Sequence, residues 1–304
     1  MAAVEAGRAS EALLQERRER IRDRRRRRFR DSWYLIRSNP LTMTGFLIVV
    51  ILIAVAIFAP LVAPYNPNVF DLNHIQQGPT WGHLFGTDQE GRDVFSRVLY
   101  GARISLRIAS IAVVCIAGIG LPLGLIAGTF GGWVDGLIMR LADVFLAFPT
   151  LVLALAIAAT LGGGIQNVII ALAVAGWAWY ARLLRGVVLT IRHEAYIEAA
   201  QVSGASWSRI IRRNILPNSF APMLVQMSQD MGYAILLTAS LGFLGIGVQI
   251  PTPEWGTMIS DGYDVFMNAW WVATFPGLAI MSAVLGFNLL GDGLRDILDP
   301  RSRR

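Results

Sequence analysis

Long runs without a charged side chain decide what this chain can fold into. Leu41 to Ala63 is one such run of 23 residues. At about 1.5 Å per residue it reaches roughly 34 Å as a helix, enough to cross the hydrocarbon core of a bilayer. A second run lies between Arg107 and Asp135, and a third between Asp143 and Arg182. The third has 38 residues, too many for one helix, and Gly162-Gly163-Gly164 divides it into a helical hairpin. Further spans run from about Ala221 to Gly247 and from about Trp270 to Leu290, for an expected total of six. Composition agrees: 54% of the 304 residues are hydrophobic and 16% charged, whereas a soluble domain carries about 25% charge. The expected fold is an all-α membrane protein with the bilayer as its main solvent.

Charge placement orients the bundle. All 27 basic residues are arginine, and 12 fall in the first 40 residues, including the block Arg24 to Arg28. Six more lie from Arg182 to Arg213 and four from Arg295 to Arg304. The segment 64–107 has four arginines balanced by Asp71, Asp88, Glu90 and Asp93, and the segment 247–270 has none. Basic residues concentrate on the cytoplasmic side of membrane proteins, so both termini are expected in the cytoplasm. The expected organisation is an arginine-rich tail at 1–40 and a first span at 41–64. An extracytoplasmic loop with an amphipathic segment at 65–103 and a five-helix core at 104–292 follow, with a cytoplasmic tail at 293–304. The arginine block next to an apolar span points to anionic lipid rather than nucleic acid.

Several chemistries are excluded. Without lysine the chain cannot supply the Gly-Lys-Ser/Thr step of a phosphate-binding loop. If ATP drives its function, another subunit binds it. The single cysteine, Cys115, rules out an internal disulfide and a cysteine-cluster metal site. His74, His83 and His193 have no metal-binding spacing, and no nucleophile-and-base constellation is present. No enzymatic activity, metal or other cofactor is expected of this chain.

Three segments carry positive information. Between spans four and five, Glu198-Ala199-Ala200-Gln201-Val202-Ser203-Gly204 leads to Ile210 and on to Leu216-Pro217, within a loop at 190–217. It reads as a short helix, a glycine turn and a second, basic helix, longer than a crossing needs and therefore a docking element. In span five, Gln226, Gln229, Asp230 and Tyr233 fall at i, i+3, i+4 and i+7, on one face. Polar groups inside a membrane are functional by default, so this face is expected to line a translocation path or meet a neighbouring subunit. Before span two, Val94, Val98, Ala102 and Leu106 recur every four residues, which suggests a helix lying on the membrane surface. There Arg97, Arg103 and Arg107 would reach lipid head groups or acidic partners, or the segment would meet an extracytoplasmic binding protein or gate. Asp135, Arg140 and Asp143 read as a structural group, with Arg140 and Asp143 spaced to pair.

Glu198-Ala199-Ala200 with Gly204, followed by Ile215-Leu216-Pro217, resembles the coupling motif of importer permeases of the ABC transporters. Three further stretches resemble the C-type permease subunit of the dipeptide, oligopeptide and nickel importers. They are Leu84 to Leu106, Phe243-Leu244-Gly245-Ile246-Gly247 to Trp255-Gly256, and Asn288 to Arg301. The resemblance covers about residues 35–301. It implies a six-helix bundle of the type I importer class in the inner or cytoplasmic membrane. It implies a homologous B-type permease, two cytoplasmic ATPases and an extracytoplasmic binding protein as partners. Glu198, Ala199, Ala200 and Gly204 would seat on an ATPase, and Asp88, Arg92 and Asp93 are candidates for periplasmic contact. Di- or oligopeptides are the implied cargo, and nickel or another small peptidic solute stays open. The competing class is an ion-coupled secondary transporter, which needs inverted repeats and paired ionisable groups near the midplane.

Overall fold

The computed structural model describes residue 37 and residues 39–298. Nearly all of the arginine-rich tail, and residues 299–304 of the C-terminal one, lie outside the described residues. The described chain is helical, with no strand among the described residues and one isolated bridge between Thr87 and Asp93.

Helix α1 spans Pro40–Val62. The Asn39 side chain caps it by accepting from the Leu41 and Thr42 amides at 3.0 and 3.4 Å, and Pro40 stands at the first turn, where a missing N–H costs nothing. Helix α2 spans Val94–Phe130, is capped by Asp93, and ends at Gly131 with φ +67°. Helices α3 (Gly132–Leu146) and α4 (Thr150–Leu161) follow, bent by 86° at the break that contains Pro149. Proline disfavours helical geometry in the residue before it, which gives the break its physical cause. The Gly162–Gly164 turn then reverses the chain into α5 (Ile165–Arg192).

Short helices α6 (Ala195–Val202) and α7 (Trp207–Ile210) lead through a π-turn at Ile211–Ile215 into α8 (Leu216–Phe243). The chain closes with α9 (Trp255–Tyr263) and α10 (Trp271–Leu298). Helices α1, α2, α5 and α10 are each long and apolar enough to cross a membrane, and the bent pair α3–α4 makes a fifth candidate. Helix α8 is as long as α5, but Gln226, Gln229 and Asp230 break its apolar character.

Helices α2 and α5 run parallel, and three glycines set their separation. Gly120 lies against Trp177 and Tyr180, Gly124 against Ala181, and Gly128 against Val188. A side chain added at Gly124 would start 2.9 Å from the Ala181 Cα. Small residues at a spacing of four let backbones approach where lipid offers no hydrophobic drive. Helix α10 packs antiparallel on α1, with Gly293 on Thr42 and Gly286 on Ile48, and antiparallel on α8, with Gly232 on Val284.

The N-terminal part of α2 departs from the expected surface helix. Val94, Val98, Ala102 and Leu106 are buried in a protein core with Trp255, Met258 and Trp271. The Trp255 indole donates to the Val98 carbonyl and the Trp271 indole to the Thr87 carbonyl, both at 3.0 Å. The stripe of four was real, but it faces α9 and α10 instead of lipid. One continuous 37-residue helix therefore replaces the separate loop segment and span expected on either side of residue 103.

Gly124→Leu is expected to push α2 from α5 and destabilise the protein by about 1–3 kcal/mol. Gly118→Leu, at a position with nothing within 4 Å, is expected to change stability by less than about 0.5 kcal/mol. Thermal unfolding of the purified variants in one detergent checks both.

Candidate functional site

Helices α2, α3, α4, α5 and α8 border a half-open cavity of about 340 Å³. Gln226, Asp230 and Tyr233 line it together, as their spacing on one helix face requires. Gln226 Nε2 donates to Asp230 Oδ1 at 3.0 Å. Gln229, the fourth member of the expected face, turns to α10 instead and donates to Asp292 Oδ1 at 2.9 Å. The helical face is wide enough for its edge to belong to a different neighbour.

Helix α5 supplies what sequence spacing did not: Trp179 and Tyr180 line the same cavity. Tyr180 is 2% exposed, and its hydroxyl lies beside Asp230 without completing a hydrogen bond of standard geometry. The dense aromatic cluster Trp177 to Tyr180 just ahead of Arg182 was the available signal.

The segment between α5 and α8 is an ordered helical loop. Ile197, Ile210 and Ile215 are buried against Leu184, Val188 and Ile191 of α5. Arg192 ties it down: its Nη1 donates to the Thr129 carbonyl at 3.2 Å, and its guanidinium sits 5.3 Å from the Trp207 ring centroid. With that face anchored, Glu198, Ala199 and Gly204 are exposed and Ala200 is half-buried. Gly204 has φ +78° and nothing within 4 Å of where a Cβ would stand. The turn therefore favours glycine for its positive φ, and open space lies over it.

At the opposite end, where α1 ends and α2 begins, Asp88, Arg92 and Asp93 are 1–3% exposed. Arg92 Nε donates to Asp88 Oδ2 at 2.7 Å, and its other nitrogens reach Glu90 at 2.5 Å and Asp261 at 3.6 Å. Arg97 is buried beside them, 3.6 Å from Asp88, and donates to the Pro67 carbonyl at 3.0 Å. Gln89 donates to the Asp261 carbonyl. Asp93 caps α2 and accepts from His83 Nδ1 at 2.8 Å. The three side chains considered for periplasmic contact, and Arg97, for which head groups or acidic partners were open, thus lie inside a knot that fastens the loop to α9, with Arg97 beside Asp88.

Glu254 is fully buried at the start of α9. It accepts from the Thr257 amide at 3.0 Å and from Ser105 Oγ at 3.1 Å. Burial raises its pKa above the ordinary carboxylate value, against the opposing hydrogen bonds from Gly256, Thr257 and Ser105. Burial likewise raises Asp261, opposed by Arg92 and Arg97.

The acidic residues of α3 pair across helices rather than within one. Asp135 takes a bidentate bond from Arg185 of α5 at 2.7 and 2.6 Å, and Asp143 pairs with Arg182. In place of the expected Arg140–Asp143 pair, Asp143 takes its hydrogen bond from Arg182 of α5.

A multi-helix membrane bundle, with a largely apolar cavity that holds a carboxylate and an amide between its helices and an anchored helical loop at one end, has the build of a transport component. The chain matches the family described as binding-protein-dependent transport system inner membrane component over residues 120–304. It also matches the N-terminal TM domain of oligopeptide transport permease C over residues 27–79. It is 46% identical over 275 residues to the dipeptide transport system permease protein DppC of Alkalihalophilus pseudofirmus, covering 90% of each chain. It is 43% identical over 293 residues to the probable D,D-dipeptide transport system permease protein DdpC of Escherichia coli strain K12, covering 95% of this chain and 98% of that one. It is 48% identical over 280 residues to a glutathione transport system permease protein, GsiD, of Shigella sonnei, covering 92% of each. The chain belongs to the family of inner-membrane components of binding-protein-dependent transport systems and is a multi-pass protein of the cell membrane.

Two outcomes follow from the knot and from Glu254. Arg92→Ala removes the guanidinium shared by Asp88, Glu90 and Asp261, leaves Arg97 as the cation beside Asp88, and is expected to cost up to about 3–5 kcal/mol, read as a lowered thermal midpoint. Because the folded pKa of Glu254 is raised, its contribution to stability is full below the unfolded value of 4.5 and falls as pH rises from there through the folded value. Glu254→Gln is expected to flatten that part of the stability–pH profile, which thermal melts across pH 4.5 to 8 would reveal.

Proposed function

We propose that this chain is the C-type permease subunit of an ATP-driven importer of di- or oligopeptides. It forms the translocation path with a homologous B-type permease, and its loop at 195–215 docks on one of two cytoplasmic ATPases. An extracytoplasmic binding protein delivers the cargo. The observation that carries this reading is the loop itself: one face is buried in α5, while Glu198, Ala199 and Gly204 stand exposed over open space. A loop whose only task was to join two spans would not need that anchoring.

The peptide cargo rests on the relatives, whose names specify dipeptides, D,D-dipeptides and glutathione. The orientation rests on charge. With the docking loop in the cytoplasm, Arg182, Arg185, Arg192, Arg209, Arg212 and Arg213 fall on that side or at its boundary. Six crossings then place both termini in the cytoplasm, with α3–α4 counted as one span and α8 as another. Helix α8 enters as a span because its polar face is turned inward to the cavity and α10, and lipid does not have to solvate it. Movement of the ATPases would reach the spans through Ile210, Ile215 and the π-turn into α8. Glu198 on α6 is thus joined to Asp230 on α8 through the Gly204 turn, α7 and the π-turn.

Purification of the complex from cells that produce all its subunits tests the docking. Glu198→Ala combined with Gly204→Asp is expected to remove most of the ATPase from the purified permease. Aspartate tolerates a positive φ better than most residues and has open space at this turn, so the subunit itself should remain folded. Full retention of the ATPase would refute the docking role.

A further inference from the structure

The Asp230 carboxylate is half-buried among apolar helices, and its hydrogen bond comes from an uncharged amide, Gln226. No arginine of the described residues forms an ion pair with it. Arginines elsewhere in the bundle do pair, Arg182 with Asp143 and Arg185 with Asp135. A carboxylate away from water without a cation is costly and is kept where something supplies the missing charge. Around it stand three aromatic residues that line the same cavity, Trp179, Tyr180 and Tyr233. Aromatic faces attract cations, most strongly when both are withdrawn from water. The buried Tyr180 hydroxyl can direct its hydrogen to Asp230, and its oxygen keeps lone pairs that can accept from a donor placed in the cavity. A carboxylate, aromatic side chains and a tyrosine hydroxyl around a space of about 340 Å³ make a receptor for a small amine.

We infer that this cavity is a station for the ammonium group of the cargo. Asp230 takes the charge, held in place by Gln226. Tyr180 accepts one ammonium hydrogen, and the rings of Trp179 and Tyr233 flank the group. This deepens the peptide-importer reading and rests on it for the identity of the amine, the α-ammonium of a short peptide. It makes the permease itself selective, in addition to the binding protein that feeds it.

The test uses the intact transporter, purified in mild detergent without its binding protein. It reads equilibrium binding of radiolabelled alanyl-alanine and of propionyl-alanine, the same molecule with hydrogen in place of the ammonium. Alanyl-alanine is expected to bind at least about ten-fold tighter, the scale of one good charged contact. Asp230→Asn abolishes that preference and Asp230→Glu keeps most of it. Tyr180→Phe narrows it without abolishing it.

Equal binding of the two probes to the wild type, or binding of neither, overturns the inference. So does loss of the second permease from the Asp230→Asn complex, which would assign the carboxylate to a subunit contact. ATP-dependent uptake of alanyl-alanine into membrane vesicles, measured alongside, reports on the importer reading separately. Ammonium-selective binding without uptake leaves the station and removes the peptide importer. Uptake without ammonium-selective binding does the reverse.

Discussion

The close approach of α2 to α5 is the contact on which the rest of the bundle depends. In a bilayer, apolar side chains gain little by leaving lipid for one another, so helix association relies on tight packing and hydrogen bonds. Gly120, Gly124 and Gly128 provide that packing by letting the α5 backbone sit against α2. The same approach sets the cavity. Tyr180 emerges where Gly120 leaves room for its Cβ, and Ile116, one turn earlier, packs on Gly176. Both Ile116 and Tyr180 then form part of the cavity wall. A stripe that looks purely structural thereby fixes how the α5 aromatics stand relative to Asp230 on α8.

Ion pairs do a different task at each end of the bundle. Arg185 and Arg182 of α5 hold α3 by its carboxylates, so a short, bent element is tied to a long one. At the end where α2 begins, Arg92 and Arg97 gather Asp88, Glu90, Asp261 and the Pro67 carbonyl into a knot that joins the loop after α1 to α9. Buried charges of this kind add little net stability over an apolar core, but breaking one partner is costly. The knot therefore specifies where the loop lies more than how strongly the protein is folded. At the other end Arg192 plays the comparable part for the helical loop, joining Thr129 of α2 and Trp207 of α7.

Much of this was legible from residue order because the bilayer imposes a simple rule on apolar runs. The Gly162–Gly164 reversal, the short helix ending near Gly204 and the inward face of α8 all follow from spacing and turn chemistry. What was not legible needed tertiary partners. Val94, Val98, Ala102 and Leu106 make an apolar stripe whether the surface that covers it is lipid or protein, and only the folded arrangement of Trp255 and Trp271 decides. Asp88, Arg92 and Asp93 read as exposed because charged loop residues ordinarily are. Arg92 is also met by Asp261 of α9, more than 160 residues further along, a partner that residue order does not reveal. Gln229 and Asp230 are sequence neighbours on the same helical face, yet they serve different helices.

The 86° break between α3 and α4 has a consequence for water. Fifteen and twelve residues make helices of about 22 and 18 Å, each short of a hydrocarbon core of about 30 Å. The end of one helix and the start of the next leave carbonyls and amides without intrahelical partners. Leu146 and Thr150, the residues on either side of that break, are both part of the cavity wall. Open backbone of this kind persists in a membrane where protein covers it or where it borders a hydrated space. The break thus sets backbone that lipid could not solvate at the rim of the cavity, between Leu146 and Thr150, in a bundle whose outer surface is oil.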